Sequence, residues 1–180
     1  MTAPQEFAAT LPEHQMKMEL FTEYHRIAGE LTTTALRTNG VMNATGEHLI
    51  LNRVSTSSLI RPQDSPIESG IARIAKVAVV MAVPNEEPDN EYRLMAAKIF
   101  SRGEMLLRRV LLVLGNYEIS GNLHLEHELD LEQVLIERPE NFIGLTNASI
   151  LYLPNPMLKF AASTVLINKL RVDFICAGAP

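Results

Sequence analysis

Three short blocks of this chain occur twice, in the same order and at nearly constant separation. Ile27-Ala28-Gly29-Glu30-Leu31 matches Ile119-Ser120-Gly121-Asn122-Leu123. LNRVS at 51–55 matches LTNAS at 145–149, and Ile74-Ala75-Lys76-Val77 matches Ile167-Asn168-Lys169-Leu170. A chain that repeats in this way is constrained to build one kind of unit twice, so the clearer copy predicts the fainter one. The clearer copy is 117–176. From Tyr117 the apolar residues Ile119, Gly121, Leu123 and Leu125 alternate with Glu118, Ser120, Asn122, His124 and Glu126, the period of a strand with one buried and one wet face. Gly121 falls on the buried face, where glycine signals a bend or the close approach of another backbone.

The rest of that copy reads as short, punctuated elements. Asp130 and Gln133 have capping-box spacing, which predicts a short helix over 131–137, ended by Pro139. An apolar strand over 142–153 leads to the turn Pro154-Asn155-Pro156, and two more strands follow at 161–167 and 170–176. The alternation slips phase at Asn168-Lys169, the mark of a tight turn or bulge. In the fainter copy, 15–34 reads as a long strand or hairpin, with a helix over 16–24 as the competing assignment. Residues 41–59 are β-rich with a turn at 43–46, and 61–66 is a loop. The apolar, β-branched run 71–83 is expected to be buried on both faces. Proline, asparagine and acid gather at Pro84-Asn85-Glu86-Glu87-Pro88-Asp89-Asn90-Glu91, the best linker in the chain, and 92–102 fits either a connecting helix or a strand pairing with 105–114. The expected organisation is a mobile tail at 1–15, a first β unit at 16–84, a linker at 85–104 and a second β unit at 105–180.

Residues 110–176, through the segments VLGNYEISGNLHL, FIGLTNASI and STVLINKLRVDFI, resemble the Sm-like small β-barrel, with its glycine-bearing bend, apolar middle strand and closing hairpin. Residues 19–84 carry the resemblance more faintly. It implies a mainly β protein of two tandem small β-barrel units with one or two short helices. Sm-like barrels hold RNA through an Asp/Asn loop and an Arg-Gly in the last turn. At that turn this chain has Asn168-Lys169 in the second copy and Ala75-Lys76 in the first, so the RNA-contact candidates implied are Asn168, Lys169 and Lys76. No Arg-Gly pair stands at either place, and the helix predicted at 131–137 departs from the family pattern. The second copy is also similar to uncharacterised bacterial domains with a dL-x-x-x-L … F-I-x-L-T-x-A pattern, to which no activity attaches.

Chemistry is sparse. The net charge of −5 gives no bulk attraction for a polyanion, and with no tryptophan the stacking platforms that single-stranded nucleic acid uses are poorly supplied. Arg108-Arg109, the only adjacent basic pair, flanks an apolar strand and fits the role of keeping an edge soluble. Cys176 is the single cysteine, which excludes an internal disulfide and a multi-cysteine zinc site. In an apolar strand it is expected to pack as a small hydrophobe. His124 and Glu126, two apart on a strand with His127 beside them, could begin a metal site, but no third ligand is evident and solvated surface is the plainer reading. There is no Gly-rich phosphate loop, no G-x-S-x-G and no H-E-x-x-H. No catalytic residue, metal or cofactor is assigned, and the chain is read as not an enzyme.

Nothing approaches the ~20 apolar residues that span a bilayer, and 1–15 lacks the basic start and apolar middle of a secretory signal, so the expected setting is the cytoplasm, off the membrane. Three functions are carried forward. The favoured one is a non-catalytic interaction or scaffold protein that forms homo-oligomers through β-sheet edges. The others are an Sm-like RNA binder and a small-ligand-binding protein or enzyme with a pocket between the two units.

Overall fold

The computed structural model describes residues 12–85, 106–125, 135–136 and 138–177. Their strands form one antiparallel sheet of ten, so the mainly β assignment holds. The first half contributes β1 (His14–Phe21), β2 (His25–Thr33), a short helix α1 (Thr38–Asn43), β3 (His48–Ser58), β4 (Ile67–Ala75) and β5 (Met81–Pro84). The second contributes β6 (Leu106–Leu114), β7 (Tyr117–Leu125), β8 (Phe142–Tyr152), β9 (Lys159–Asn168) and β10 (Phe174–Ala177). Across the sheet the order is β10-β6-β7-β8-β9-β5-β1-β2-β3-β4. Each half therefore has its last strand beside its first, with the remaining three following in sequence.

The three sequence matches fall at equivalent places in this order. Opposite Gly29 the β2–β3 ladder shifts register between Ala28 and Glu30, and opposite Gly121 the β7–β8 ladder shifts between Ser120 and Asn122. The residue absorbing each bulge is Arg53 (φ 49°) or Asn147 (φ 50°), both in the left-handed region. The glycines are required there by close backbone approach. A Cβ on Gly121 would sit 3.1 Å from Leu145 Cβ and 3.3 Å from the Thr146 carbonyl, and one on Gly29 would sit 3.0 Å from Leu51 Cβ. The phase slip read at Asn168-Lys169 is a 3₁₀ turn, Lys169–Arg171, and its counterpart is Lys76–Ala78.

The resemblance to Sm-like barrels does not survive the topology, and two tandem barrels are not what the sheet displays. Neither half closes on itself. The far side of β5 pairs with β9, Met81 opposite Ile167 and Ala82 opposite Leu166, so the strand that might have closed the first half extends the sheet into the second. Among the described residues β4 pairs with β3 alone and β10 with β6 alone. The result is an open sheet with two outer edges.

Several local expectations also change. Residues 15–34 form a hairpin, β1 to β2, and the competing helix over 16–24 is absent; residues 14 and 15, placed in the tail by sequence, begin β1. Residues 41–43 belong to α1. The run 71–83 is not one strand buried on both faces: it is the end of β4, a 3₁₀ turn and β5, with Ile71 and Val77 exposed and only Ile74 and 79–82 buried. Residues 135–136 are helical, while the rest of the helix predicted at 131–137 falls outside the described residues, as do residues 1–11 of the tail, 86–104 of the linker and the helix-or-strand segment 92–102.

Two apolar cores hold the sheet. One is built mainly from the second half and takes in Phe21, Leu59, Val80 and Met81 from the first; the other is built mainly from the first half and takes in Phe142 and Leu166 from the second. Side chains alternate across a strand, so at the central joint the pair Met81/Ile167 enters one core and the pair Ala82/Leu166 the other. Both faces of the β5–β9 joint are buried.

Candidate functional site

The residues implied as RNA contacts lie at the two 3₁₀ turns, and their polar groups are engaged within the protein. Asn168 is buried; its Nδ2 donates to the Val79 carbonyl at 2.9 Å and its Oδ1 accepts from the Leu170 N–H at 3.1 Å. The Lys76 Nζ donates to the carbonyls of Val41 (2.9 Å) and Ala44 (2.8 Å), which ties the first turn to the end of α1. Burial pushes the Lys76 ammonium below its ordinary range. The Lys169 Nζ donates to the Arg138 carbonyl. The three residues act as side-chain caps on loop carbonyls and turn amides.

These turns border a cleft of about 790 Å³. Each half supplies the same two segments to it. From the first come 42–48, the end of α1 and the loop after it, and 75–77; from the second come 139–142, leading into β8, with Asn168 and Leu170. Asn43 joins the two walls. Its Nδ2 donates to the Phe142 carbonyl at 2.9 Å and its Oδ1 accepts from the Phe142 N–H at 2.8 Å, so a side-chain amide pairs with a strand residue as a neighbouring backbone would. The cleft carries Glu47, Glu140 and His48 beside the apolar Met42, Val77 and Leu170.

Elsewhere the structure places the remaining candidates singly. His124 meets Thr146 Oγ1 at 2.9 Å on the face of β7, while Glu126 and His127 fall outside the described residues. Among the described residues there is no cluster of three or more His, Cys, Asp or Glu able to hold a metal, and no helix long and apolar enough to cross a membrane. Arg109 donates to the Asn147 carbonyl at 3.2 Å and to Ser120 Oγ at 3.1 Å, bracing the second bulge. Cys176, expected to pack as a small hydrophobe, is exposed, because β10 is an outer strand rather than an interior one.

The feature that sequence reading missed is where the edges lie. β4 is nine residues long and, among the described residues, has a partner strand on one side only. It exposes Ile67 (68%) and Ile71 (64%), and β10 exposes Phe174 (50%). The lysine within 71–83 was the available signal: Lys76 aligns with the turn of the second copy, which cuts the run in two and leaves β4 as a strand on its own. Comparison of the chain with protein-family models, with curated proteins and with solved structures returns no match.

Proposed function

We propose that this chain is a non-catalytic scaffold module that associates with further copies of itself through its sheet edges. The observation that supports the reading is the pair of unpaired outer strands. Proteins that stay single blunt such edges with short strands, lysines, prolines or bulges. Here β4 is nine residues long, has neither lysine nor proline, and carries exposed Ile67 and Ile71 beside Glu68 and Arg73; β10 has no charged residue, though it is only four residues long. A row of unpaired N–H and C=O groups beside exposed apolar side chains is a template for another strand. Sedimentation velocity at micromolar concentration tests it. A concentration-dependent species larger than the 20.0 kDa chain is expected, and a strict monomer would remove the reading.

One observation favours a second reading, a small-ligand-binding protein. The cleft of about 790 Å³ is walled by both halves, and its volume lies within the ordinary range for such sites. Thermal shifts against a metabolite panel test this: a ligand that raises the melting temperature supports it, and a flat panel removes it.

A further inference from the structure

Every ladder in the sheet is antiparallel, so its ten strands alternate in direction and the outer two, β10 and β4, run opposite ways. A second copy set beside the first in the same orientation therefore presents its β10 antiparallel to β4. The centre of the sheet already contains a joint of that kind. β5 is the counterpart of β10, each a four-residue strand that follows a 3₁₀ turn and pairs with the first strand of its half. β9 is the counterpart of β4, each pairing with the strand that carries the bulge. We infer that copies join head to tail, β10 of one against β4 of the next, in the register of the central joint. The inference rests on the self-association reading above and names its surface.

The register follows from the counterparts. Met81 opens β5 as Phe174 opens β10, and Ile167 opposes Ile143 as Ile74 opposes Leu49. Met81 faces Ile167, so Phe174 faces Ile74 of the second copy, Ile175 faces Arg73, and Cys176 faces Ala72. The exposed side chains agree with this. In the centre Phe160, which opposes Ile150, packs edge-on to Phe21 at 5.2 Å, the neighbour brought in by the β5 joint. The β4 counterpart of Phe160 is Ile67, which opposes Thr56 and stands 68% exposed for want of such a neighbour. Because β10 and β4 are different patches, the contact is heterologous and repeats: it closes into a ring where the rotation per copy permits and otherwise runs on as a filament.

Cys176 is the sole cysteine, so Ala72→Cys puts one reporter on each edge. Paired Cα atoms in an antiparallel ladder lie about 4.5–5.5 Å apart, inside the reach of a disulfide. Under mild oxidation A72C is expected to give a ladder of disulfide-linked multimers on a non-reducing gel, and the A72C/C176S chain is expected to give none. Wild-type chains linked Cys176 to Cys176, or A72C/C176S chains linked to each other, would show edges meeting like with like; that outcome overturns the head-to-tail joint and leaves self-association standing. An A72C chain that sediments as an oligomer yet does not cross-link has the same consequence. A wild-type monomer at micromolar concentration removes both ideas. Ile71→Lys, on an exposed site where the fold is undisturbed, is expected to weaken association roughly tenfold. Sedimentation unmoved by that charge would also overturn the joint.

Discussion

At the scale of single residues, the two bulges make the sharpest demand. Gly121 and Gly29 leave a methyl group tight against the Cβ of a buried leucine and a backbone carbonyl, so a neighbour must shift to admit one. Gly121→Ala is expected to cost about 1–3 kcal/mol, the usual range for forced overpacking, read as a fall in the urea midpoint at unchanged slope. A second demand comes from Tyr117. Its ring is buried and its hydroxyl donates to the Thr22 carbonyl. Burial, then Tyr152 and Glu23 nearby, raise its pKa from the ordinary tyrosine value of 10.0. The folded chain therefore holds that proton where the unfolded chain releases it. The associated stability is whole below pH 10 and falls as pH climbs above it, by up to about 1.4 kcal/mol per unit. Tyr117→Phe is expected to be less stable at neutral pH by about 1 kcal/mol, for the lost hydrogen bond, yet to show a flatter alkaline limb in denaturant titrations from pH 8 to 11. An unchanged limb would show that the phenol does not control it.

At the scale of elements, what was legible in the sequence was local. The alternation from Tyr117, the glycine on its buried face and the slip at Asn168-Lys169 each depend on a few adjacent residues, and each appears as a strand, a bulge and a 3₁₀ turn. Helix α1 was not legible. It has six residues, includes Gly40, and has no side-chain cap at Arg37, so neither period nor capping announces it. Its position depends on a contact across the fold, the two hydrogen bonds from Asn43 to Phe142, which no local pattern can encode. Asn43→Ala leaves the N–H and carbonyl of buried Phe142 without that partner. The expected loss is about 1–3 kcal/mol, with faster amide exchange at the start of β8 than at its far end. Uniform exchange along β8 would mean that the link is dispensable. The candidate site was half legible for the same reason: Lys76, Asn168 and Lys169 were found through the repeated turn, but their use as caps depends on carbonyls brought in by other segments.

At the scale of the whole molecule, strand order is where sequence reading failed, and the failure has one cause. The repeat specified each half's internal order, because neighbours in sequence are mostly neighbours in the sheet. It did not specify whether the last strand of a half turns inward or outward, since that depends on which distant edge it meets. Here β5 meets β9, and that choice ties the two cores together: Met81 and Ile167 fill one, Leu166 and Ala82 the other. Loss of either core would strip the cover from one face of the same joint, so the halves are not expected to unfold separately even though each has its own strands. Leu166 belongs to the second half by sequence and to the first half's core by packing, and is nearly fully buried. Leu166→Ala should therefore cost about 2–5 kcal/mol and move the unfolding of both halves together, as one calorimetric transition at lower temperature. Two resolved transitions, with only the first half's shifted, would show that the central joint links the halves in space but not in stability.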